Sequence, residues 1–454
     1  MKLLASFCAV CVANAAFAAD NTESLAPIFN GKDLTGWVPV NIAPGTFSVR
    51  DGVLVTTGKP VGTIRTEKMY ENFVMELEWR HMTSGGNSGV FVWGDGLPAT
   101  GSAYPRGIEV QVLDPGFNVP GKNEWYSTHG DIFQVNGAKV TVAGRISPNK
   151  QRSFPAEERT KPSPEWNHYR IVANNGEVRL SVNGKEVTIA TGASPRKGYL
   201  MLESEGAECQ FRNVRLHELP TSNPKPEDIA RPAEGFVPLF TGLDLSGWTV
   251  PAGDNGHWKV AGEQIDYDAK SEAPGEKHLW TEREFSDYTL VVDWRIKGTP
   301  YTNPRARKIL PDGSEELGPD GQPLSLAIPD SDSGILLGGE KFQVNIWCWP
   351  VGSGEMYGIR TDKARPPELR AAVTPKVRAD KPVGQWNRYE ITKRKGTVTV
   401  VLNGQTVIPG ATIPDLPAKG RIGLQHHGAM KDGVWTSPPS LLEFRNIFIR
   451  ELSE

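Results

Sequence analysis

Gly107-Ile108-Glu109-Val110-Gln111-Val112-Leu113-Asp114 alternates apolar and polar residues over the length of one strand. A period of two belongs to a β-strand, whose successive side chains point to opposite faces. Ile108, Val110 and Val112 therefore face a core, while Glu109 and Gln111 share the other side. The acid and the amide stand about 6–7 Å apart along such a strand. That pair suits the floor of a shallow polar groove, and a plain solvated face is the alternative this strand alone leaves open.

The same grammar runs outward from this strand. Glu177 to Val187 reads as a hairpin in which Val178, Leu180 and Val182 alternate before Asn183-Gly184. Asn-Gly suits a type I′ turn because both residues tolerate positive φ. Thr397 to Val407 repeats that hairpin around Asn403-Gly404. Helical periodicity is scarce, and short alternating runs separated by turn residues indicate antiparallel two-sheet sandwiches.

The chain also repeats itself once. Ala26-Pro27-Ile28-Phe29-Asn30-Gly31-Lys32-Asp33-Leu34-Thr35-Gly36-Trp37 returns as Val237-Pro238-Leu239-Phe240-Thr241-Gly242-Leu243-Asp244-Leu245-Ser246-Gly247-Trp248. Asn87-Ser88-Gly89 returns as Asp332-Ser333-Gly334, Trp166-Asn167 as Trp386-Asn387, and Phe211-Arg212-Asn213 as Phe444-Arg445-Asn446. An ordered repeat of this kind is a duplicated domain. The expected units are residues 25–219 and 235–454, joined by a Pro-rich linker at 220–234 that should act as a semi-rigid extended spacer. The second unit carries an insertion at about 299–330, read as a loop overhanging one rim.

Bulk properties narrow the class. Of 454 residues 38% are hydrophobic and 23% charged, and the net charge is −3, which with no basic stripe argues against nucleic acid. Residues 1–19 read as an export signal, with Lys2, an apolar run from Leu3 to Val12, and Ala16-Phe17-Ala18 before a cut after Ala18 or Ala19. The apolar run is too short to remain as a membrane span. Beyond it only Cys209 and Cys348 are left, one per half, so neither unit can close its own disulfide. A bacterial periplasmic or secreted protein follows as the expectation.

The duplication separates scaffold from site. Trp37 and Trp248, Trp79 and Trp294, Trp166 and Trp386, and both Asn-Gly turns recur and read as scaffold, as do Arg212 and Arg445, expected to tie strand ends to carbonyls or carboxylates. Polar residues that differ are more informative. Ile108 to Asp114 aligns with Phe342-Gln343-Val344-Asn345-Ile346-Trp347-Cys348, His129-Gly130-Asp131-Ile132-Phe133 with Ser353-Gly354-Glu355-Met356-Tyr357, and Leu202-Glu203-Ser204-Glu205 with Leu424-Gln425-His426-His427. The first groove is thus acidic (Glu109, Asp114, Asp131, Glu203, Glu205), and the second is neutral to basic (Gln343, Asn345, Arg360, His426, His427). Crowded carboxyls in a dry groove separate their pKa values into an acid and a base, with His129 a further proton-transfer candidate. A hard divalent cation such as Ca²⁺ is the alternative use of those acids. Adjacent His426 and His427 point to opposite faces, so no two-histidine metal site is expected.

Together Phe29-Asn30-Gly31-Lys32-Asp33-Leu34, Asn87-Ser88-Gly89-Val90-Phe91, Glu109-Val110-Gln111-Val112-Leu113-Asp114, Trp166-Asn167, Leu-Asn-Gly and Phe-Arg-Asn resemble the 3-keto-disaccharide hydrolase domain family. The resemblance covers nearly all of the chain beyond residue 19. It implies an all-β protein of two tandem concanavalin A-like jelly-roll β-sandwiches, exported and acting on glycosides oxidised at the sugar 3-position. It further implies proton abstraction next to the ketone, elimination, and hydration. Glu109, His129 and Asp131 are the expected catalytic residues. Arg65, Asn87, Gln111 and Glu203, with Gln343, Asn345, Tyr357 and His427 in the second copy, are expected to bind a carbohydrate. The second copy departs from the pattern at Gln343 and Cys348. A non-catalytic pair of glycan-binding sandwiches is the competing reading.

Overall fold

The computed structural model describes residues 24–117, 125–127 and 129–453; the export signal expected at 1–19 lies outside them. The first half is two facing antiparallel sheets. One runs, in spatial order, through Lys139–Val142, Lys185–Ser194, Glu177–Val182, Asn167–Asn174, Phe73–His81, Cys209–Glu218, Val53–Thr56 and Phe47–Arg50. The other runs through Arg145–Ile146, Arg152–Phe154, Ile132–Val135, Gly107–Leu113, Asn87–Gly94, Tyr199–Ser204, Gly62–Thr66 and Trp37–Val40. The second half repeats this layering, with Tyr288–Ile296 and Leu442–Glu451 central in one sheet and Gly420–Leu424, Ser333–Leu337 and Gln343–Ile346 in the other. The protein is two tandem jelly-roll sandwiches.

Each core forms where the inward sets meet. Leu77, Trp79, Val110, Val112, Tyr169 and Leu180 pack in the first, and Val292, Trp294, Val344, Ile346, Tyr389 and Val400 in the second. Burying such large side chains is the main driving force for both layers. The turns behave as their sequences require: Asn183 and Gly184 have φ of 47° and 85°, Asn403 and Gly404 of 51° and 80°. The Trp37 and Trp248 indoles each donate to a carbonyl nine residues upstream, of Ile28 and Leu239.

Three expectations gain detail. Trp166 and Trp386, read as scaffold, lie half-buried and outside either core, Trp166 beneath the Arg80 and Arg212 guanidinium groups and Trp386 beneath those of Arg295 and Arg445. Residues 220–234 are not a free spacer. Arg231 donates its N–H to Asp95 and accepts from Gly96, Tyr199 donates to Glu234, and Ala230 and Ala233 are buried, because the segment's backbone groups find partners on the first sandwich. The insertion, expected as an overhanging loop, contains a hairpin of Tyr301–Arg307 with Ser325–Asp330, in which Asn303 donates to Asp330. Cys209 and Cys348 are both free thiols.

Candidate active site

The outer face of the Gly107–Leu113 sheet carries the site. Register sets the composition: Gly89 lies opposite Gln111 on one side and Phe91 opposite Glu109, while Phe91 faces Met201 across the other neighbour. Glu203, two residues on from Met201, therefore comes alongside Gly89. A Cβ on Gly89 would fall 2.7 Å from a Glu109 carboxyl oxygen and 2.8 Å from one of Glu203, so the two carboxyls meet over a residue with no side chain. This accounts for the Asn-Ser-Gly motif. Ser88 ties the neighbouring strand by donating to Glu203 O at 2.8 Å, Gly89 leaves room for the acids, and Asn87 accepts from Gln111 Nε2 at 2.9 Å.

Glu109 is 7% exposed and Glu203 1%. Burial first, then the neighbouring Glu205, pushes the Glu109 carboxyl up to about 8, against the opposing pull of Arg152. Burial together with Glu109 and Glu205 raises Glu203 well above the usual carboxylate range, and its Oε2 is buried without a hydrogen-bond partner. Glu205 is raised by burial, against the opposing effects of Tyr104, Glu203 and Arg152. Two buried carboxyls with a third, half-buried one beside them disfavour full ionisation, an arrangement suited to holding acid and base forms together.

The cationic and donor groups sit on one flank. Arg152 donates to Gln111 Oε1 at 2.9 Å and to Asp131 at 3.3 Å, and its guanidinium lies 3.5 Å above the Phe133 ring and 4.6 Å from the exposed Trp125. Asp131, fully buried, also accepts the Ser127 N–H and hydroxyl. It holds Arg152 in place. His129 is buried, accepts the Arg159 N–H on Nε2, and is pushed down to about 4 by burial, so it is neutral near pH 7. Arg65 does not reach the acids: it donates to Thr66 O and Ala233 O and lies over the Tyr199 ring. Asp114 accepts the N–H groups of Gly85, Gly116 and Ser163 and organises loops.

The second sandwich keeps the frame and changes the chemistry. Gly334 lies opposite Asn345, Ser333 donates to Gln425 O at 2.8 Å, and Tyr389 donates to Asn345 O as Tyr169 does to Gln111 O. Where Glu109 and Glu203 meet, Gln343 and Gln425 exchange amide hydrogen bonds of 2.7 and 3.2 Å. A cleft of about 210 Å³ opens beside them, lined by Asp332, Gln343, Asn345, Trp347, Trp349, Tyr357, Gln425 and His427. Trp347 and Trp349 stack at 4.2 Å and 3°, and their indole N–H groups are fixed on Gly352 O and Asp330. Asn345 Nδ2 is buried without a partner. Arg360, expected in this groove, is instead buried in a pair with Glu355. Beyond the Gly420–Leu424 strand, His426 turns away to Tyr267 and His427 lines the cleft.

Sequence reasoning placed Glu109, Asp114, Asp131, Glu203 and Glu205 in one groove and Gln343, Asn345, Arg360, His426 and His427 in the other; the structure takes Asp114 out of the first, where it holds loop N–H groups, and Arg360 and His426 out of the second, where they turn to Glu355 and Tyr267. Sequence reasoning missed Arg152, on a three-residue strand with no periodic signal, and Tyr104, in a loop with no counterpart in the second copy. It also left Trp347 and Trp349 unassigned, although their spacing of two places both rings on one side of an extended chain. As for a cation, among the described residues the acid and imidazole atoms that converge within 4.8 Å belong to Glu276, His278 and Glu340 of the second sandwich, both glutamates exposed. The groove acids form no such group. Held towards neutrality beside Arg152, they suit proton transfer better than the several ionised oxygens Ca²⁺ takes.

The profile of the 3-keto-alpha-glucoside-1,2-lyase-like domain matches residues 25–217 and again residues 235–450. A 3-keto-disaccharide hydrolase of Bacteroides thetaiotaomicron is 23% identical over 242 residues, 42% of this chain and 77% of its own length. Among solved structures, a protein of Parabacteroides distasonis provisionally described as a glycosyl hydrolase is 23% identical, covering 43% of this chain and 94% of its own, with a TM-score of 0.34. The carbohydrate-binding module CBM66 of Bacillus subtilis is 15% identical, covering 40% of this chain and 96% of its own, with a TM-score of 0.29.

Proposed function

The chain belongs, in both halves, to the 3-keto-alpha-glucoside-1,2-lyase-like domain family, and from that premise we propose that its first sandwich cleaves 3-keto-glycosides while its second holds sugar without reacting it. The observation that carries this reading is the meeting of Glu109 and Glu203 over Gly89, matched in the second copy by an amide pair that cannot transfer protons. A ketone at C3 acidifies the adjacent C2–H. An ionised carboxylate of the cluster takes that proton, and the electron pair forms the enolate. The enolate collapses with cleavage of the C1–O bond, and a neutral carboxyl of the same cluster protonates the departing oxygen. Water then adds across the resulting enone, completing net hydrolysis.

Glu109 is assigned to proton transfer, since its carboxyl meets that of Glu203 over Gly89 and feels the opposing charges of Glu205 and Arg152. Arg152 and Gln111 orient the sugar, and Arg152 offsets the developing enolate charge. His129, neutral and engaged by Arg159, is the weaker candidate for the base. In the second half, the stacked tryptophans and unpaired Asn345 amide support binding of an unmodified sugar ring. Export, suggested by residues 1–19, belongs to this reading and is checked by the mass of the mature chain, which should begin at Ala19 or Asp20. The decisive test is turnover of a 3-keto-disaccharide. Glu109→Gln should lower kcat/KM by about 100-fold or more. Wild-type rates in that variant would remove Glu109 from the mechanism.

A further inference from the structure

Among the contacts between the two sandwiches, one is made by a hairpin loop of the first. Residues 98–105 leave the Asn87–Gly94 strand, close on themselves by Ala99 N–H to Tyr104 O at 2.9 Å, and present their tip to the outer face of the second sandwich. There Gly101 N–H donates to Asp293 at 2.8 Å, and Arg445 donates to Gly101 O at 3.0 Å. Asn446 donates to Ala99 O at 3.1 Å and Ser102 O at 2.9 Å, and Arg388 to Pro98 O at 2.8 Å. Asp293 and Asn446 are fully buried there, and Trp386 forms the floor beneath Gly101. The contact is built, with every tip carbonyl named above met by a side-chain donor.

The other end of that loop is in the site. Tyr104 lies over Phe91, with ring centroids 6.5 Å apart and planes at 18°, directly across the strand pair from Glu109. Its hydroxyl is a neighbour that holds the Glu205 carboxyl down against the upward push of burial. Asn136 holds the loop's base by donating to Tyr104 O at 2.9 Å. From the second sandwich, Glu263 accepts the Val61 N–H at 2.8 Å and adds its charge near Glu205. The groups facing Glu205 are thus Tyr104, Glu203, Glu109, Arg152 and Glu263.

We infer that the second sandwich is a positioning platform for the first sandwich's site: by gripping the 98–105 hairpin through Asp293, Arg445 and Asn446, it sets the Tyr104 hydroxyl as the hydrogen-bond donor to the Glu109–Glu203–Glu205 cluster. This rests on the assignment of the cluster to proton transfer. A donor to a carboxylate favours its ionised form, so losing that donor shifts the cluster's titration upward. Asn446 and its counterpart Asn213 both sit at positive φ, 49° and 52°, which glycine tolerates. Asn446→Gly therefore loosens the grip by removing its bonds to Ala99 O and Ser102 O while keeping the backbone, and Asn213→Gly, whose side chain binds Glu78 of its own sheet, is the matched control. Gly101→Ala is the second variant, because its Cβ would land 2.3 Å from Trp386.

The test uses the full chain and two readouts: the pH profile of kcat/KM on a 3-keto-disaccharide, and titration of the protonated-carboxyl infrared band without substrate. Tyr104→Phe, Asn446→Gly and Gly101→Ala should each lower kcat/KM about tenfold and move the titration upward by about one pH unit, with Asn213→Gly matching wild type. Titration unchanged in Asn446→Gly and Gly101→Ala would overturn the proposal, and so would an equal shift in Asn213→Gly. Absence of wild-type turnover would instead sink the enzymatic reading, while the infrared comparison would still decide the coupling.

Discussion

At the scale of single residues, the site depends on an absent side chain. The atoms a Gly89 Cβ would meet are the free ends of Glu109 and Glu203, flexible groups that can swing aside. Gly89→Ala is therefore expected to displace the two carboxyls while leaving the fold intact. Turnover should fall by about tenfold or more, with a stability loss no larger than the roughly 1–3 kcal/mol of core overpacking. Paired measurements of kcat/KM and thermal unfolding check this, and a large stability loss with normal specific activity would refute it. Gly89 was legible as part of a repeated Asn-Ser-Gly motif, but its purpose was not, since the motif says nothing of which strand lies alongside.

At the scale of elements, the two Gln343/Glu109 strands show how one frame serves two chemistries. Both are braced from inside by a core tyrosine, Tyr169 or Tyr389, donating to the second polar residue's carbonyl. What differs is the side chains on the outer face and the segment after the strand. In the second copy that segment brings Trp347 and Trp349 into a stack beside the amide pair. Trp349→Ala should weaken binding of an unoxidised disaccharide about tenfold, near 1.4 kcal/mol, with turnover of the 3-keto substrate within about twofold of wild type. Titration calorimetry and steady-state kinetics together test this, and an equal loss of turnover would place Trp349 in the reaction after all.

At the scale of the whole molecule, the duplication is asymmetric. Asp293 of the second sandwich accepts from Arg388, Asn446 and the Gly101 N–H while fully buried. Its first-copy counterpart, Glu78, stays within its own sheet with Arg212 and Asn213. Removing Asp293 leaves a buried guanidinium without its carboxylate, which costs about 3–5 kcal/mol. Asp293→Ala should lower the calorimetric transition of the second sandwich and release the hairpin that joins the halves, so that their transitions separate. A single unchanged transition would show that the hairpin carries no coupling.

The sequence by itself determined the layered all-β architecture, the duplication, and the loss of the acid from the second groove. These follow from period-two alternation, turn residues with positive φ, and the comparison of two aligned copies, all of which are local properties of the chain. Only the tertiary structure decided that Glu203 stands against Glu109, that Arg152 and Tyr104 complete the site, that Arg65 does not, and that Arg445 grips the other sandwich rather than its own. Those are contacts between segments distant along the chain. Strand register and the docking of one face on another set them, and neither leaves a mark in the spacing of residues.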